Sequence, residues 1–285
     1  MRETNKATPQ RCQEPFELAK GNREHNVQLN VFFTPSEIVA SKVSQAQQND
    51  IYIVIDVIRA TTTLAVMFDQ GAARVLVAGT VAEAREAAQK VPGRLLCGER
   101  NVKPLPGFDY GNSPVQFSEL DLSGCELILT TTNGTRAFYA CPAQTIRLAG
   151  CFYNAQAVTS HALRLARERK SNIALVCSGE LEYFALDDAV CAGYLALELQ
   201  RACEESQQEA PLHFHESVNA AIALYHAYEP PKVLDYCESA QSVFRAGLND
   251  DPYFCIRTSE STNIPMIVGK EEETGLLVLE KASPS

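Results

Sequence analysis

A run of five apolar residues, Ile51 to Ile55, restricts the fold of this chain more than any other segment. Successive side chains of a strand point to opposite faces, so a strand that is apolar at every position must be covered on both faces. Such strands are typical of parallel sheets that carry helices on either side. A helical pattern over about 61–70 follows, and Gly71 is suited to end it. The segment therefore predicts α/β layering.

The same alternation of strand and helix continues along the chain, as α/β proteins require. Further strands are predicted at 29–33, 74–78, 94–97, 126–130, 145–149, 173–177, 254–257 and 266–268. Helices are predicted to start near 35, 81, 136, 155, 187, 217 and 231, and the last one is expected to end near Gly247. The polar stretch 203–216 is predicted to be a surface connection.

Two stretches of the chain repeat the same order of motifs, which indicates an internal duplication. The matched segments are 55–63 with 130–135, 77–79 with 148–150, and 96–99 with 177–180. The alternative is the ordinary strand–turn–helix repetition of α/β proteins. On the first interpretation the chain consists of a disordered N-terminal tail (1–28), a first α/β half (29–125), a second α/β half (126–270) and a C-terminal tail (271–285).

The charge balance limits the partners of the chain. Lys and Arg number 25 against 35 Asp and Glu, so the net charge is −10. This chain lacks the basic footprint of a protein that binds nucleic acid or an anionic membrane. No apolar run approaches the roughly 20 residues of a membrane span. We expect neither a nucleic-acid nor a membrane partner, and the sequence leaves a homo-oligomer open. An anionic ligand must be held by local donors or by a metal.

The number and spacing of the cysteines indicate the cellular compartment of the protein. The chain has 10 cysteines, and none forms a C-x-x-C pair, which excludes zinc-ribbon and thioredoxin motifs. Most lie inside apolar runs, as Cys97 and Cys177 do, where free cysteine packs as a small apolar residue. A reducing, cytoplasmic setting is therefore predicted.

The turn after the first buried strand carries an unusual set of polar side chains, Asp56, Arg59, Thr61, Thr62 and Thr63. Ligands of open α/β sheets bind at the carboxyl ends of the strands. A helix that begins at the threonines presents N–H groups and its positive dipole end to an anion. We predict that Asp56 holds Mg²⁺ and that Arg59 clamps a phosphate or sulfonate through two hydrogen bonds. An ordinary helix cap is the alternative.

A second turn has the same character and reads Thr130-Thr131-Thr132-Asn133-Gly134-Thr135-Arg136. Its Asn-Gly pair indicates a backbone with positive φ, and the threonines around it predict a concave anion site. No lysine of the Walker type is present, so nucleotide binding is not supported. The alternative is a plain Asn-Gly turn between a strand and a helix.

Three further segments add candidates. Glu99 and Arg100 follow a buried strand, so their side chains are expected in the same cleft. The irregular loop 104–114 has the composition of a substrate lid. Asp187 and Asp188 open a helix, where carboxylates complement the helix dipole, bind Mg²⁺ or act as a general base.

Taken together, these motifs resemble the 2-phosphosulfolactate phosphatase (ComB) family. The segments that carry the resemblance are 32–35, 56–63, 98–100, 107–114, 130–136 and 186–193, in this order. The resemblance covers about 31–268 and implies a three-layer α/β/α fold built from two related halves. It also implies a Mg²⁺-dependent phosphomonoesterase that converts (2R)-2-phospho-3-sulfolactate and water to (2R)-3-sulfolactate and phosphate, a step towards coenzyme M.

The resemblance and the turns together define the expected site for a small anionic phosphorylated substrate. The expected catalytic residues are Asp56, Arg59, Glu99 and Asp188, of which Asp56 and Asp188 are the expected Mg²⁺ ligands. The expected substrate-binding residues are Thr61, Thr62, Thr63, Arg100, Asn112, Ser113, Thr131, Thr132, Asn133, Gly134, Thr135 and Arg136.

Several alternatives stay open at this point. Asp56 is either a metal ligand or a nucleophile, and Ile58 stands where a haloacid-dehalogenase phosphatase has its second Asp, which argues against the covalent route. Cys237 and Ala240 stand where the family resemblance leads us to expect Ser and Gly. A phosphatase for another small phosphorylated hydroxy acid is therefore one alternative, and a non-catalytic binder of phosphates or sulfonates is the other.

Overall fold

The structure is a computed structural model that describes residues 26–40, 50–181, 183–206 and 212–282. All but the last three residues of the predicted N-terminal tail lie outside these ranges. Within them, no helix is both long and apolar enough to span a lipid bilayer.

Strands and helices alternate through most of the described chain. The strands are β1 Gln28–Phe32, β2 Ile51–Ile55, β3 Arg74–Val77, β4 Leu95–Arg100, β5 Lys103–Pro104, β6 Glu126–Thr130, β7 Ile146–Gly150, β8 Ile173–Cys177, β9 His213–Phe214, β10 Pro265–Lys270 and β11 Leu277–Lys281. The helices are α1 Pro35–Ala40, α2 Ala60–Asp69, α3 Val81–Lys90, α4 Pro114–Ser118, α5 Gly134–Ala140, α6 Ala155–Arg169, α7 Leu186–Glu205, α8 Glu216–Ala227, α9 Glu238–Arg245 and α10 Asp250–Cys255.

The strands of the described residues form one mixed sheet in the order β5-β4-β6-β3-β11-β10-β7-β2-β8-β1-β9. Two parallel blocks, β4-β6-β3 and β7-β2-β8-β1-β9, lie on either side of the antiparallel pair β10–β11. The pair joins the blocks through antiparallel contacts of β11 with β3 and of β10 with β7. The fold is therefore α/β with a large mixed sheet.

The sheet does not separate the two predicted halves at residue 125. Strand β6, from the second half, lies between β3 and β4 of the first half. Strand β2, from the first half, lies between β7 and β8 of the second half. The first half thus places β1 and β2 among strands of the second half, and the second half places β6 among strands of the first. The turns that follow β2 and β6 are brought to one region of the molecule.

The central strand β2 demonstrates how the sheet is covered. Its Ile51, Ile53 and Ile55 pack in one apolar cluster with residues of α6 and α7. Tyr52 and Val54, which alternate with them, pack in a second cluster with residues of α2 and α5. All five side chains are buried. The prediction of a strand covered on both faces is confirmed.

Three predictions for the C-terminal region are wrong. Half of the segment 254–257, predicted as a strand, belongs to helix α10, whose Asp251 is held by contacts with the distant Arg59 and Ser113. The helix predicted over 231–247 is split into the 3₁₀ turn Lys232–Asp235 and α9. The predicted C-terminal tail contains β11, which pairs with β3 and β10 because its three apolar residues, 277–279, are buried in the sheet.

The predicted surface connection 203–216 is also only partly correct. Helix α7 continues to Glu205, and β9 adds a two-residue strand beside β1. In contrast, none of the cysteines that the structure describes forms a disulfide, as expected.

A buried ionic cluster ties the β10–β11 pair to the first parallel block. The Arg94 guanidinium donates to both carboxylate oxygens of Glu271 at 2.8 and 2.5 Å and to Glu126 at 2.8 Å. Arg94 and Glu271 side chains are only 4% and 5% exposed. The hydrogen bond from Arg94 is the largest cause that holds the pKa of Glu271 below its ordinary value.

We expect Glu271→Gln to lower the free energy of unfolding at pH 7 by about 1–3 kcal/mol, since Arg94 loses its buried ionic partner and keeps only the partly exposed Glu126. Because the pKa of Glu271 is lowered in the folded state, its contribution is complete above about pH 4.5 and is lost as the pH falls below that value. Urea unfolding at pH 7 and at pH 4 measures both effects. The exposed Glu272→Gln is the matched control, and an equal loss in both variants would contradict the assignment.

Candidate active site

A cavity of about 370 Å³ lies where the carboxyl ends of β2, β4, β6 and β8 meet helix α9. Ligands of α/β sheets bind at this edge. Of the residues predicted from sequence, the cavity is lined by Asp56, Arg59, Glu99, Asn112, Thr131, Thr132 and Asn133. It is also lined by polar residues that sequence analysis did not select, namely Asn101, Lys103, Glu180, Ser239, Ser242 and Arg245.

Asp56 forms the buried floor of the cavity and is only 7% exposed. Its Oδ1 accepts a hydrogen bond from the Ala60 N–H at 3.2 Å, at the start of α2. Burial raises the pKa of the Asp56 carboxyl to about 7, and the carboxylates of Asp187, Glu99 and Glu180 add to the rise. The hydrogen bond from the Ala60 N–H opposes this rise.

Gly134 allows the two turns to come together at Asp56. A Cβ at this glycine would lie 2.5 Å from the Asp56 Oδ2 and 2.7 Å from the Cβ of Ala60. Real Cβ atoms do not approach other atoms so closely, so only glycine lets the start of α5 pack against the carboxylate. Gly134 is thus a packing residue beneath the cavity rather than a group that contacts a ligand.

We expect Gly134→Ala to lower kcat on the order of 10²-fold, because it displaces the Asp56 carboxylate. It should also lower stability by about 1–3 kcal/mol through overpacking. Gly150→Ala is the control, since its Cβ would meet the Ile53 side chain at 2.4 Å in the core away from the cavity. Activity per folded molecule and urea unfolding separate the two effects. An unchanged kcat in Gly134→Ala would mean that Asp56 tolerates the displacement.

Arg59 is fixed by an ion pair that the sequence did not reveal. Its Nη1 donates to Asp251 at 2.6 Å, and its Nη2 donates to the Val102 carbonyl at 2.9 Å. Both side chains of the pair are almost fully buried. Ser113 also donates to Asp251, at 2.6 Å, and therefore supports the pair rather than a ligand. These contacts engage one N–H of each Nη atom and fix the orientation of the guanidinium, so the bidentate clamp stays a prediction.

Glu99 holds the second turn in place. Its Oε1 accepts from the N–H and the hydroxyl of Thr132, at 2.8 and 2.9 Å. Its Oε2 accepts from the Val102 N–H at 2.9 Å. Asn133 of the same turn donates to Glu180 at 3.0 Å, so both glutamates connect this turn to neighbouring strand ends. These contacts make Glu99 a positioning residue as well as a wall of the cavity.

Asp188 does not line the cavity, although sequence analysis placed it in the metal site. Its Oδ1 accepts from the Val57 N–H at 2.9 Å, and its Oδ2 accepts from Ser178 and from the Gly179 N–H at 2.9 and 3.1 Å. Burial, and then the charge of Asp187, raises the pKa of Asp188 well above its ordinary value. The side chain holds the turns after β2 and β8 together.

Asp187 precedes Asp188 in α7, and both residues are only 2% exposed. The Asp187 Oδ1 accepts from Ser239 of α9 at 3.1 Å, which anchors that helix over the cavity. Burial raises the pKa of Asp187 to about 6, and Ser239 opposes the rise.

Three of the threonine hydroxyls donate to backbone carbonyls of their own turns. Thr61 donates to the Asp56 carbonyl at 2.9 Å, and Thr62 donates to the Val57 carbonyl at 2.9 Å. Thr135 likewise donates to the Thr131 carbonyl at 3.0 Å. Thr61, Thr62, Thr63 and Thr135 are not among the cavity-lining residues of the described chain. The N–H groups of Ala60, Thr132 and Thr135 also have partners within the protein.

Arg100 and Arg136, which were predicted to bind substrate, do not line the cavity. Arg100 donates to the Glu99 carbonyl at 2.6 Å and to the Thr130 hydroxyl at 3.0 Å, which joins β4 to β6. Arg136 is exposed on α5 and does not line the cavity. The cations that do line it are Arg59, Lys103 and Arg245. Of the missed residues, only Glu180 had a sequence signal, since its Gly-Glu pair repeats that of Glu99.

One Cys–Arg pair in the sequence has the spacing found in cysteine-dependent phosphatases, but the pair does not form such a site. Cys141 and Arg147 are separated as Cys-x₅-Arg, but neither lines the cavity. Burial raises the pKa of the Cys141 thiol to about 12, so it is not a thiolate nucleophile at neutral pH. Arg147 donates to the Phe138 carbonyl at 3.1 Å.

The fold and the cavity together define an α/β protein with a charged pocket suited to a small anionic substrate. The family model for 2-phosphosulpholactate phosphatase matches residues 37–270. The chain belongs to this family of phosphoric monoester hydrolases.

Similar proteins bear the same name. A probable 2-phosphosulfolactate phosphatase of Deinococcus radiodurans is 36% identical over 232 residues, which cover 80% of this chain and 92% of that protein. One of Parasynechococcus marenigrum is 35% identical over 233 residues, with 80% and 91% coverage. One of Thermotoga maritima is 32% identical over 216 residues, with 76% and 88% coverage. The resemblance that the motifs indicated is confirmed.

Proposed function

We propose that this chain hydrolyses (2R)-2-phospho-3-sulfolactate to (2R)-3-sulfolactate and phosphate with Mg²⁺, as a cytoplasmic step of the kind that leads to coenzyme M. The names of its relatives supply the substrate. The observation that carries the proposal is the cavity itself, in which a buried carboxylate, Asp56, lies with the cations Arg59, Lys103 and Arg245. In a chain of net charge −10, this local set of cations suits a small anion with more than one charged group.

The cavity residues fit Mg²⁺ held through few protein ligands. The described residues contain no group of three or more His, Cys, Asp or Glu arranged to hold a metal. Mg²⁺ commonly takes only one or two carboxylates and completes its shell with water and substrate phosphate. Asp56 is buried and Glu180 is exposed, but both line the cavity. Desolvation and the carboxylate of Glu99 raise the pKa of each, and a bound cation would oppose that rise. We assign the ligands to these two and give Asp188 a positioning role.

The hydrolysis requires little covalent chemistry from the protein. A water molecule attacks phosphorus, the ester P–O bond breaks, and the bridging oxygen takes a proton and leaves as the hydroxyl of sulfolactate. Bound Mg²⁺ would neutralise charge on the phosphate oxygens. Arg59, held in one position by Asp251, supplies fixed positive charge beside them.

Asn112 is suited to orient the attacking water. It is 4% exposed and lines the cavity, and its Oδ1 has no hydrogen-bond partner among the described residues. A buried acceptor without a partner is costly unless a ligand or water donates to it. In phosphoryl transfer most of the catalysis comes from such positioning and from electrostatics.

The interleaved sheet favours a duplicated, three-layer architecture. Strand β2 lies between β7 and β8 just as β6 lies between β3 and β4, so the strand that precedes each polar turn lies among strands of the other half. In both turns a threonine donates to the backbone carbonyl at the end of the preceding strand, Thr61 to Asp56 and Thr135 to Thr131. We propose that two copies of one unit combined in this way, and that the exchange created the cavity between their turns.

The proposed function is tested by phosphate release from phosphosulfolactate, phosphoglycerates and p-nitrophenyl phosphate, each with Mg²⁺ and with a chelator. We expect release mainly from phosphosulfolactate, with a chelator lowering kcat on the order of 10³-fold, since the cation offsets phosphate charge. Release mainly from another acid would change the substrate and keep the chemistry. Ligand-induced thermal stabilisation without any release would favour a binding protein instead.

A further inference from the structure

We propose that Lys103 and Arg245 form a subsite at the mouth of the cavity that binds the second strongly anionic group of the substrate, its sulfonate. This inference rests on the proposed function and deepens it. Neither residue belongs to the turns that carry the sequence motifs, and the roles assigned so far to Asp56, Arg59 and Asn112 leave both unexplained.

The charged residues of the cavity fall into a buried group at one end and an exposed group at the other. Asp56, Arg59 and Glu99 lie at the buried end and are at most 7% exposed. Lys103 and Arg245 line the same cavity but are exposed. The reacting phosphate belongs at the buried end, where the carboxylates and the fixed Arg59 lie. A second anionic group of the same small molecule then extends towards the mouth.

Two separate elements bring donors to this mouth. Helix α9 places Ser239, Ser242 and Arg245 at intervals of three residues, which puts them on one face of the helix, and all three line the cavity. Lys103 comes from β5, a two-residue strand beside β4. The helix is anchored at its first turn, where Ser239 donates to the buried Asp187. The donors are therefore presented on a supported element.

The chemistry of these donors suits a sulfonate. A sulfonate keeps its negative charge at all physiological pH values and has three oxygen acceptors. Arginine supplies a planar fork of N–H donors, and lysine supplies a compact charge on a flexible stem. Arg245 at present donates to Glu238 and, at 2.9 Å, to Ser242. An exposed ion pair such as Arg245–Glu238 is weak, so a bound anion can replace Glu238 at little cost.

The test compares phosphosulfolactate with 2-phospholactate, which has a methyl group where phosphosulfolactate has a sulfomethyl group. We expect Arg245→Gln and Lys103→Gln each to lower kcat/KM for phosphosulfolactate by about 10- to 100-fold, the range for loss of a charged hydrogen bond. The kcat/KM for phospholactate should change by less than about twofold, because phospholactate lacks the sulfonate that the subsite binds.

Two further variants sharpen the comparison. Glu238→Gln releases Arg245 and is expected to lower KM for phosphosulfolactate about two- to threefold, with no effect on phospholactate. Arg201→Gln is the matched control, because this exposed arginine of α7 pairs with Glu198 and does not line the cavity. It should leave both substrates unchanged. Equal losses for the two substrates in Arg245→Gln and Lys103→Gln would overturn the subsite and leave the proposed function intact.

Calorimetry tests the subsite without turnover, by comparing the binding of 3-sulfolactate with that of lactate. If the wild-type protein hydrolyses neither phosphate ester, the proposed function fails, yet tight 3-sulfolactate binding that is lost in both variants still supports the subsite. If the wild-type protein binds 3-sulfolactate no better than lactate, or if the variants bind it as well as the wild type does, the subsite is wrong.

Discussion

Asp56→Asn is expected to lower kcat for phosphate release by about 10³-fold or more, the scale seen when a central electrostatic group is removed. The amide keeps the size of the side chain and an oxygen that can accept from the Ala60 N–H. It removes the negative charge that the reacting end of the cavity requires. The measurement is kcat and KM with saturating Mg²⁺. Glu86→Gln, an exposed change of the same kind on α3, is the matched control.

The same variant should be more stable than the wild type when Mg²⁺ is absent. Burial raises the pKa of Asp56 to about 7, so the ionised carboxylate destabilises the folded state. This cost is absent below the ordinary pKa near 4 and grows as the pH rises towards 7. We therefore expect the gain in Tm of Asp56→Asn in chelator to be small at pH 4 and larger at pH 7. Lost stability together with lost activity would instead indicate that Asp56 supports the fold.

Arg59→Met is expected to have two large effects. It removes the fixed positive charge of the cavity, so kcat/KM should fall on the order of 10²- to 10³-fold. It also leaves Asp251 buried and without its ionic partner, which should lower the free energy of unfolding by about 3–5 kcal/mol. Steady-state kinetics and urea unfolding measure the two losses separately.

The double variant Arg59→Met/Asp251→Asn separates catalysis from folding. Neutralising Asp251 removes the unpaired charge while retaining an acceptor for the Ser113 hydroxyl. Stability should return to within about 1–2 kcal/mol of the wild type, whereas activity should not return. Recovery of activity together with stability would mean that Arg59 acts only by holding the fold.

Local sequence patterns predicted the elements around the site well. Strand β2 was predicted with its observed bounds because every one of its five side chains is apolar. The start of α3 was likewise predicted near residue 81, where Thr80 and Glu83 form both hydrogen bonds of a capping box. The helix at 250–255 was missed because Asp251 is stabilised there by contacts with the distant Arg59 and Ser113.

Residue types alone did not distinguish ligand-facing groups from structural ones. Thr61 and Thr135 have hydroxyls that suit an anion, yet each donates to its own turn because a carbonyl lies within reach. Asp188 has the chemistry of a metal ligand, yet it accepts three hydrogen bonds from two turns. Which polar group faces a cavity depends on the competing partners that packing brings near it.

The sequence by itself determined the α/β class, the buried strand that ends at Asp56, the two polar turns and the family. These follow from local periodicity and from motifs whose residues are neighbours in the chain. Only the tertiary structure decided that β2 and β6 exchange places, that Asp251 fixes Arg59, and that Lys103 and Arg245 share one cavity with Asp56. Contacts between residues far apart in sequence arise from strand order and packing, and no local pattern specifies them.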